Sequence, residues 1–169
     1  MPHELVVLLQ AKIAGLSPPE LNQLANQLYP LVNGAANEVR FAVKNIGNQP
    51  FPGGKILEVS AAQSFGLREL MSRATNISDV VPTLAVGEEK PLCEWKPVFP
   101  MEGVATIRLR LEASDGEAVN LRRYENDPPR NPVEFFLPVG NAAEVLMLYL
   151  LYAIDRKLGA ILALPHRPI

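Results

Sequence analysis

Proline constrains this chain more than any other residue. Sixteen of its 169 residues are proline, roughly double the usual ~5%. Each one fixes φ and removes a backbone donor, so proline is excluded from helix interiors and central strands. That density favours short strands joined by stiff turns over a helical bundle. The length, residues 1–169, is that of a single domain able to bury a core without cross-links. A hydrophobic fraction of 48% with 20% charged residues excludes wholesale disorder. The net charge of -2 lacks the basic excess of a nucleic-acid-binding domain, so no nucleic-acid partner is expected. The single cysteine, Cys93, excludes an intramolecular disulfide framework and any zinc site built from several thiolates. No basic stretch or cleavage pattern marks the start, which points to the cytoplasm. The most apolar run, residues 145–154, is half the ~20 residues a bilayer span needs, so no membrane span is expected.

Three regions emerge from hydrophobic periodicity. Residues 1–33 read as helical. Leu5, Leu8, Leu9 and Ile13 predict a short helix, with Gly15 as its stop. Ser17, Pro18 and Glu20 form a capping box for a second helix, carried on by Leu21, Leu24, Ala25, Leu28 and Leu31 until Pro30 and Asn33-Gly34 end it.

In residues 37–124 the period changes to two. Val39, Phe41 and Val43 alternate with charged and small residues. Residues 55–60, 77–84 and 88–98 read as further strands, with Leu92 and Trp95 as core anchors, whereas 64–73 is ambiguous. The clearest strand is 104–112, with Ile107, Leu109 and Leu111 on one side and Thr106, Arg108, Arg110 and Glu112 on the other. Asp115-Gly116 then predicts a hairpin. A three-residue loop sets Leu111 opposite Leu121 and Ala113 opposite Val119, and so places Arg110 opposite Arg122.

Residues 125–132 form a proline-rich loop and 133–139 a strand. Asn141 caps a helix over 141–163, which is apolar on nearly every face from Val145 to Leu158 and so needs burial on several sides.

Within 39–120 stand Val43-Lys44-Asn45-Ile46-Gly47-Asn48, the turn Pro52-Gly53-Gly54, Val81-Pro82-Thr83-Leu84 with Gly87-Glu88-Glu89, Gly103, and Asp115-Gly116. On these residues the segment resembles the immunoglobulin-like β-sandwich of the cell-adhesion-related domains of bacteria, the CARDB group. The resemblance covers about half the chain and rests on turn chemistry. It implies the fold far more than a function. The expected architecture is therefore α+β: an immunoglobulin-like antiparallel β-sandwich flanked by N-terminal helices and a long apolar C-terminal helix.

Chemistry is sparsely marked. Cys93 lies within a strand, away from the helix N-termini that activate thiols, and His3 and His166 sit near the ends. Glu88-Glu89 and Asp115-Gly116-Glu117 lack calcium-loop spacing. No phosphate loop or nucleophile elbow is present. No catalytic, cofactor-binding or metal-binding residues are assigned, and no cofactor is expected.

Interaction candidates remain. Arg108, Arg110 and Arg122 are expected to share one exposed face, with Arg123 and Arg130 nearby. That face either docks an acidic partner or keeps a sheet from pairing edge to edge. Arg123 and Tyr124 lie in a loop rich in interface-type residues. Leu146, Met147, Tyr149 and Leu150 present more apolar surface than one contact covers, and pack either within the chain or against a second subunit or partner. The leading reading is a non-enzymatic module that docks onto another protein or onto itself. The alternatives are a small enzyme with an unfamiliar site and an extracellular surface- or carbohydrate-binding module.

Overall fold

Alternating apolar and polar side chains build two facing sheets. The computed structural model describes residues 1–15, 27–65, 68–73 and 79–162. In chain order its elements are β1 (His3–Ile13), β2 (Gln27–Leu28), β3 (Leu31–Val32), β4 (Asn37–Asn45), β5 (Gly54–Phe65), β6 (Arg68–Arg73), β7 (Val80–Val81), β8 (Glu89–Trp95), β9 (Gly103–Ala113), β10 (Val119–Arg122), β11 (Val133–Gly140) and a helix, α1 (Ala142–Leu162). One sheet has the order β10-β1-β4-β8 with β2 beside β1. The other has the order β3-β11-β9-β5-β6 with β7 beside β5. Between them, Leu5, Val7 and Leu9 of β1 and Phe41 of β4 meet Ile107 and Leu109 of β9 and Phe135 of β11 in one buried core. Phe41 and Phe135 touch across the layers, with ring centroids 6.1 Å apart.

The strands read at 39–43, 55–60, 104–112 and 133–139 lie within β4, β5, β9 and β11. The ambiguous 64–73 falls on the end of β5 and on β6. Of the stretch 77–84, β7 covers Val80–Val81, and Leu84 bridges Phe51. Leu92 and Trp95 pack against the core while staying partly exposed.

The first predicted helix is a strand. Leu5, Leu9 and Ile13 recur every four residues, a spacing that suits a helix face but is also a multiple of two. His3, Leu5, Val7, Leu9, Ala11 and Ile13 all point inward, and nine residues of β1 pair antiparallel with β4, from Leu5↔Asn45 to Ile13↔Asn37. Inter-strand pairing and core burial override a local propensity in which Val6-Val7 already favoured a strand. The second predicted helix falls largely on residues 16–26, outside the described residues. Its last turn is not helical, because Gln27–Leu28 pairs with β1 and Leu31–Val32 with β11.

The predicted hairpin is a crossover. Gly116 adopts φ +75° and its N–H is bonded to the Ala113 carbonyl (3.2 Å), so the turn forms. The strand beyond it leaves the sheet of β9 and pairs parallel with β1, from His3↔Val119 to Val6↔Arg122. Both edges of β9 are taken. β5 runs along one side as far as Ala113, and β11 along the other as far as Leu109. At Leu111, two residues past the last β11 pair, the Asn131 side chain takes over. Its Oδ1 accepts from the Leu111 N–H (3.2 Å), and its Nδ2 donates to the carbonyls of Leu111 (2.7 Å) and Val119 (3.2 Å). One amide therefore stitches β9 to the strand that left it.

Backbone packing is close where the crossover starts. A Cβ on Gly54 would lie 1.8 Å from the Glu112 carbonyl oxygen, so only glycine fits opposite Ala113.

Candidate interaction surface

α1 begins as its residues dictate. The Asn141 side-chain oxygen accepts from the Glu144 N–H (3.0 Å), and Glu144 places a negative charge in the first turn. Leu, Met and Ala dominate the later turns, and all are good helix formers. One narrow face of the helix is seated on the sandwich. Val145 and Tyr149, one turn apart, are 1% and 6% exposed and pack with Ile13, Tyr29 and Val32 in a second, smaller core. The Tyr149 hydroxyl accepts from the Ile13 N–H (3.1 Å) and donates to the Pro30 carbonyl (3.2 Å). Gly140 lets the first turn close down: a Cβ there would lie 3.0 Å from a Val145 methyl.

The opposite face is bare. Leu146, Leu150 and Ile154, spaced by four, are 47%, 63% and 46% exposed. Met147 and Leu151 beside them are 64% and 52% exposed. Tyr149, named with Leu146, Met147 and Leu150 as an interaction candidate, is instead the anchor of the helix to its own chain.

The arginines are placed differently from the expectation. Arg108 and Arg110 lie on β9, and Arg122 lies on β10 in the other sheet, so the three do not share a face. Arg110 stands opposite Glu58, not Arg122. Arg108 bridges Glu134 (2.8 Å) and Glu58 (3.6 Å) across three strands. Arg122 pairs with Glu4, which also accepts from Asn120 (2.9 Å). Arg123 pairs with Asp127 (2.8 Å), and that contact raises its own pKa and holds the Asp127 carboxyl below the usual carboxylate range. The Arg123 loop is thus clasped by its own charges, leaving Tyr124 half exposed. Arg130 exchanges both backbone hydrogen bonds with Leu121, so the loop covers the outer edge of β10. Arg110 and Arg130 are exposed and form no ion pair among the described residues.

Two features escaped the sequence reading. His3 is 5% exposed, its ring edge-on to Phe51 (5.2 Å), and its Nε2 lies 2.7 Å from Asp115. The Glu117 N–H and then His3 hold the Asp115 carboxyl below its ordinary range. His3 thereby ties the start of β1 to the crossover turn, beside a 370 Å³ cleft lined by Glu4, Ile46, Asn48 and Gln49 among others. Its sequence signal was its inward phase in a period-two run, which the helical reading hid. The second feature is an apolar patch on the outer face of β9 and β11. Val104 and Pro138 are cross-strand partners there, with Phe136 beside them, and all three are exposed.

Cys93 is half-buried in β8, and burial pushes its thiol up to about 12, so it stays protonated at neutral pH. His166 lies outside the described residues. Trp95 stacks on Phe41 (6.0 Å, 23°). Among the described residues, no group of three or more His, Cys, Asp or Glu side chains is placed to hold a metal ion, and no helix is long and apolar enough to cross a membrane.

No family model matches this chain. No curated protein matches it either. Among solved structures it is similar to the CARDB domain of the PF1109 protein from Pyrococcus furiosus, determined in complex with di-metal ions. The similarity covers 82% of this chain and 90% of that one, at 17% sequence identity and a TM-score of 0.44.

Proposed function

We propose that this chain is a non-catalytic interaction module in which a β-sandwich presents α1 as a docking helix. One observation carries the reading. The stripe Leu146, Met147, Leu150, Leu151 and Ile154 is left in water opposite a well-anchored face. Leaving large aliphatic side chains exposed forgoes roughly 1.5–3 kcal/mol for each one fully buried. Contiguous apolar patches of several hundred Å² on a folded surface mark binding sites. The Tyr149 hydrogen bonds and the small second core fix the orientation of the helix, so the stripe is presented ready-made.

The arginine candidates support docking less well, because Arg108, Arg122 and Arg123 already have acidic partners within the chain. An enzyme using Cys93 is disfavoured by its protonated thiol. A carbohydrate platform at Trp95 is disfavoured by the stacking of its ring on Phe41.

The test is affinity capture with the wild-type chain and with a Met147→Asp/Leu150→Asp variant that keeps its strand-rich circular dichroism. Whatever binds, another protein or further copies of the chain, is expected to bind the wild type and be lost from the variant. An unchanged set of bound chains would remove α1 as the docking element.

A further inference from the structure

We infer that the occupant of the bare face of α1 is a second copy of this chain, packed antiparallel about a two-fold axis near Leu150. The inference rests on the docking reading and names its partner. The stripe is uniformly aliphatic: Leu146, Leu150 and Ile154 form one row, with Met147 and Leu151 alongside, and none of these side chains carries a charge or a hydrogen-bonding group. Such a surface is complementary to itself, which is the condition for an isologous interface.

Rows spaced by four are also the ridges that interlock when helices pack. About an axis at Leu150, Leu150 faces its symmetry mate and Leu146 faces Ile154 of the partner subunit, so apolar meets apolar along the whole row. The antiparallel arrangement also opposes the two helix dipoles.

The area is sufficient. Five side chains between 46% and 64% exposed leave a patch on the order of 500 Å², toward the upper end for the largest patch on an ordinary monomer. Two such patches face to face remove on the order of 1,000 Å², where specific interfaces begin. A net charge of -2 sets little repulsion between copies.

A lipid surface fits less well. Interfacial helices border their apolar face with Lys, Arg and Trp. The sequence of α1 carries Glu144 and Asp155 against Arg156 and Lys157, with no Trp, so its charges are balanced rather than basic.

The test combines light scattering with cysteine cross-linking on the full chain. The wild type is expected to scatter as twice 18.5 kDa at high concentration. Leu150→Lys is expected to weaken the dimer by at least about tenfold while keeping the wild-type unfolding midpoint at low concentration. Met147→Gln, which keeps the volume and loses the apolar contact, gives a milder shift in the same direction and serves if Leu150→Lys misfolds. Under mild oxidation Leu150→Cys is expected to form a disulfide with itself, and Leu146→Cys to pair with Ile154→Cys rather than with itself. A wild type that stays monomeric throughout would overturn the inference, as would a dimer indifferent to both substitutions. Self-pairing of Leu146→Cys without self-pairing of Leu150→Cys would overturn the antiparallel arrangement. A monomer whose capture of another protein is lost in Leu150→Lys would overturn the second copy and leave the docking face standing.

Discussion

The outer surface of the sandwich and the outer surface of α1 treat their exposed side chains in opposite ways. On the sheets, charge is answered locally. Lys12, Glu38, Arg40 and Glu94 run as one ladder across β1, β4 and β8, Arg108 sits between Glu58 and Glu134, and Arg122 meets Glu4. On α1, Val145 and Tyr149 are fully engaged, while Leu146, Met147, Leu150, Leu151 and Ile154 meet no equivalent partner layer among the described residues. The difference teaches that residue type alone does not nominate a docking surface. Arginine is the favoured interface residue, yet here most candidate arginines are already partnered within the chain. The larger unmet demand is apolar and sits on the helix, where five large side chains are exposed, compared with Val104, Phe136 and Pro138 on the outer face of β9 and β11.

Several substitutions break or sharpen that contrast. The largest effect belongs to the shared core. Phe41→Ala removes the ring that contacts both Trp95 and Phe135, and is expected to cost about 3–5 kcal/mol in urea-induced unfolding. Tyr149→Phe probes the anchored face of α1. It leaves the buried Ile13 N–H and Pro30 carbonyl without their hydroxyl partner, and is expected to cost about 1–3 kcal/mol by the same measurement. Loss of less than about 0.5 kcal/mol would mean that the helix is not seated by Tyr149.

Next come the charges. Arg122→Ala removes a half-buried ion pair and is expected to cost about 1 kcal/mol, whereas Arg110→Ala, with no ion-pair partner among the described residues, stays within about 0.5 kcal/mol of wild type. Equal losses at the two positions would erase the distinction between satisfied and free arginines. The carboxyls of Asp115, Asp127 and Glu88 are all held below their ordinary range in the folded chain. Their contribution is therefore present above the unfolded carboxylate pKa of about 4, and is lost as pH falls through the lower folded values. Denaturation midpoints are expected to be flat from pH 7 to 5 as far as these groups are concerned, and to drop below about pH 4. Asp115→Asn is expected to shrink that drop.

How much of this was legible in the sequence depends on how far apart the interacting residues lie. The strands at 39–43 and 104–112 were legible because strict alternation marks a half-buried strand without reference to any partner. Asn141 was legible as a helix cap because capping is settled within four residues. The two differences between expectation and fold share one cause. A helix over residues 5–13 takes β1 out of the set of strands and leaves 119–122 only its nearest neighbour in sequence, β9. In the fold, β10 pairs with β1 more than a hundred residues away, and Asn131 closes the gap at β9. Leu5, Leu9 and Ile13 satisfy both periods, so only the partner strand β4 decides between them.

The candidate site was half legible. The excess of apolar surface on the last helix could be counted from Leu146 to Ile154. Which side chain anchors the helix and which stay bare could not, because that depends on Ile13, Tyr29 and Val32 converging beneath Val145 and Tyr149. The pairing of the arginines was hidden for the same reason: Glu4 and Glu134 are brought to Arg122 and Arg108 by sheet order alone.

The central claim is that α1 is seated by one face and offers the other. Hydroxyl-radical footprinting of the dilute chain, read by mass spectrometry at single residues, tests it directly. The account predicts fast modification of Met147 and Leu150 with Tyr149 protected, and protection of Met147 and Leu150 as concentration rises. Tyr149 modified as readily as exposed Tyr124 would show a helix unseated from the sandwich. Met147 protected at every concentration would show a stripe already covered by its own chain, and either result would contradict the account.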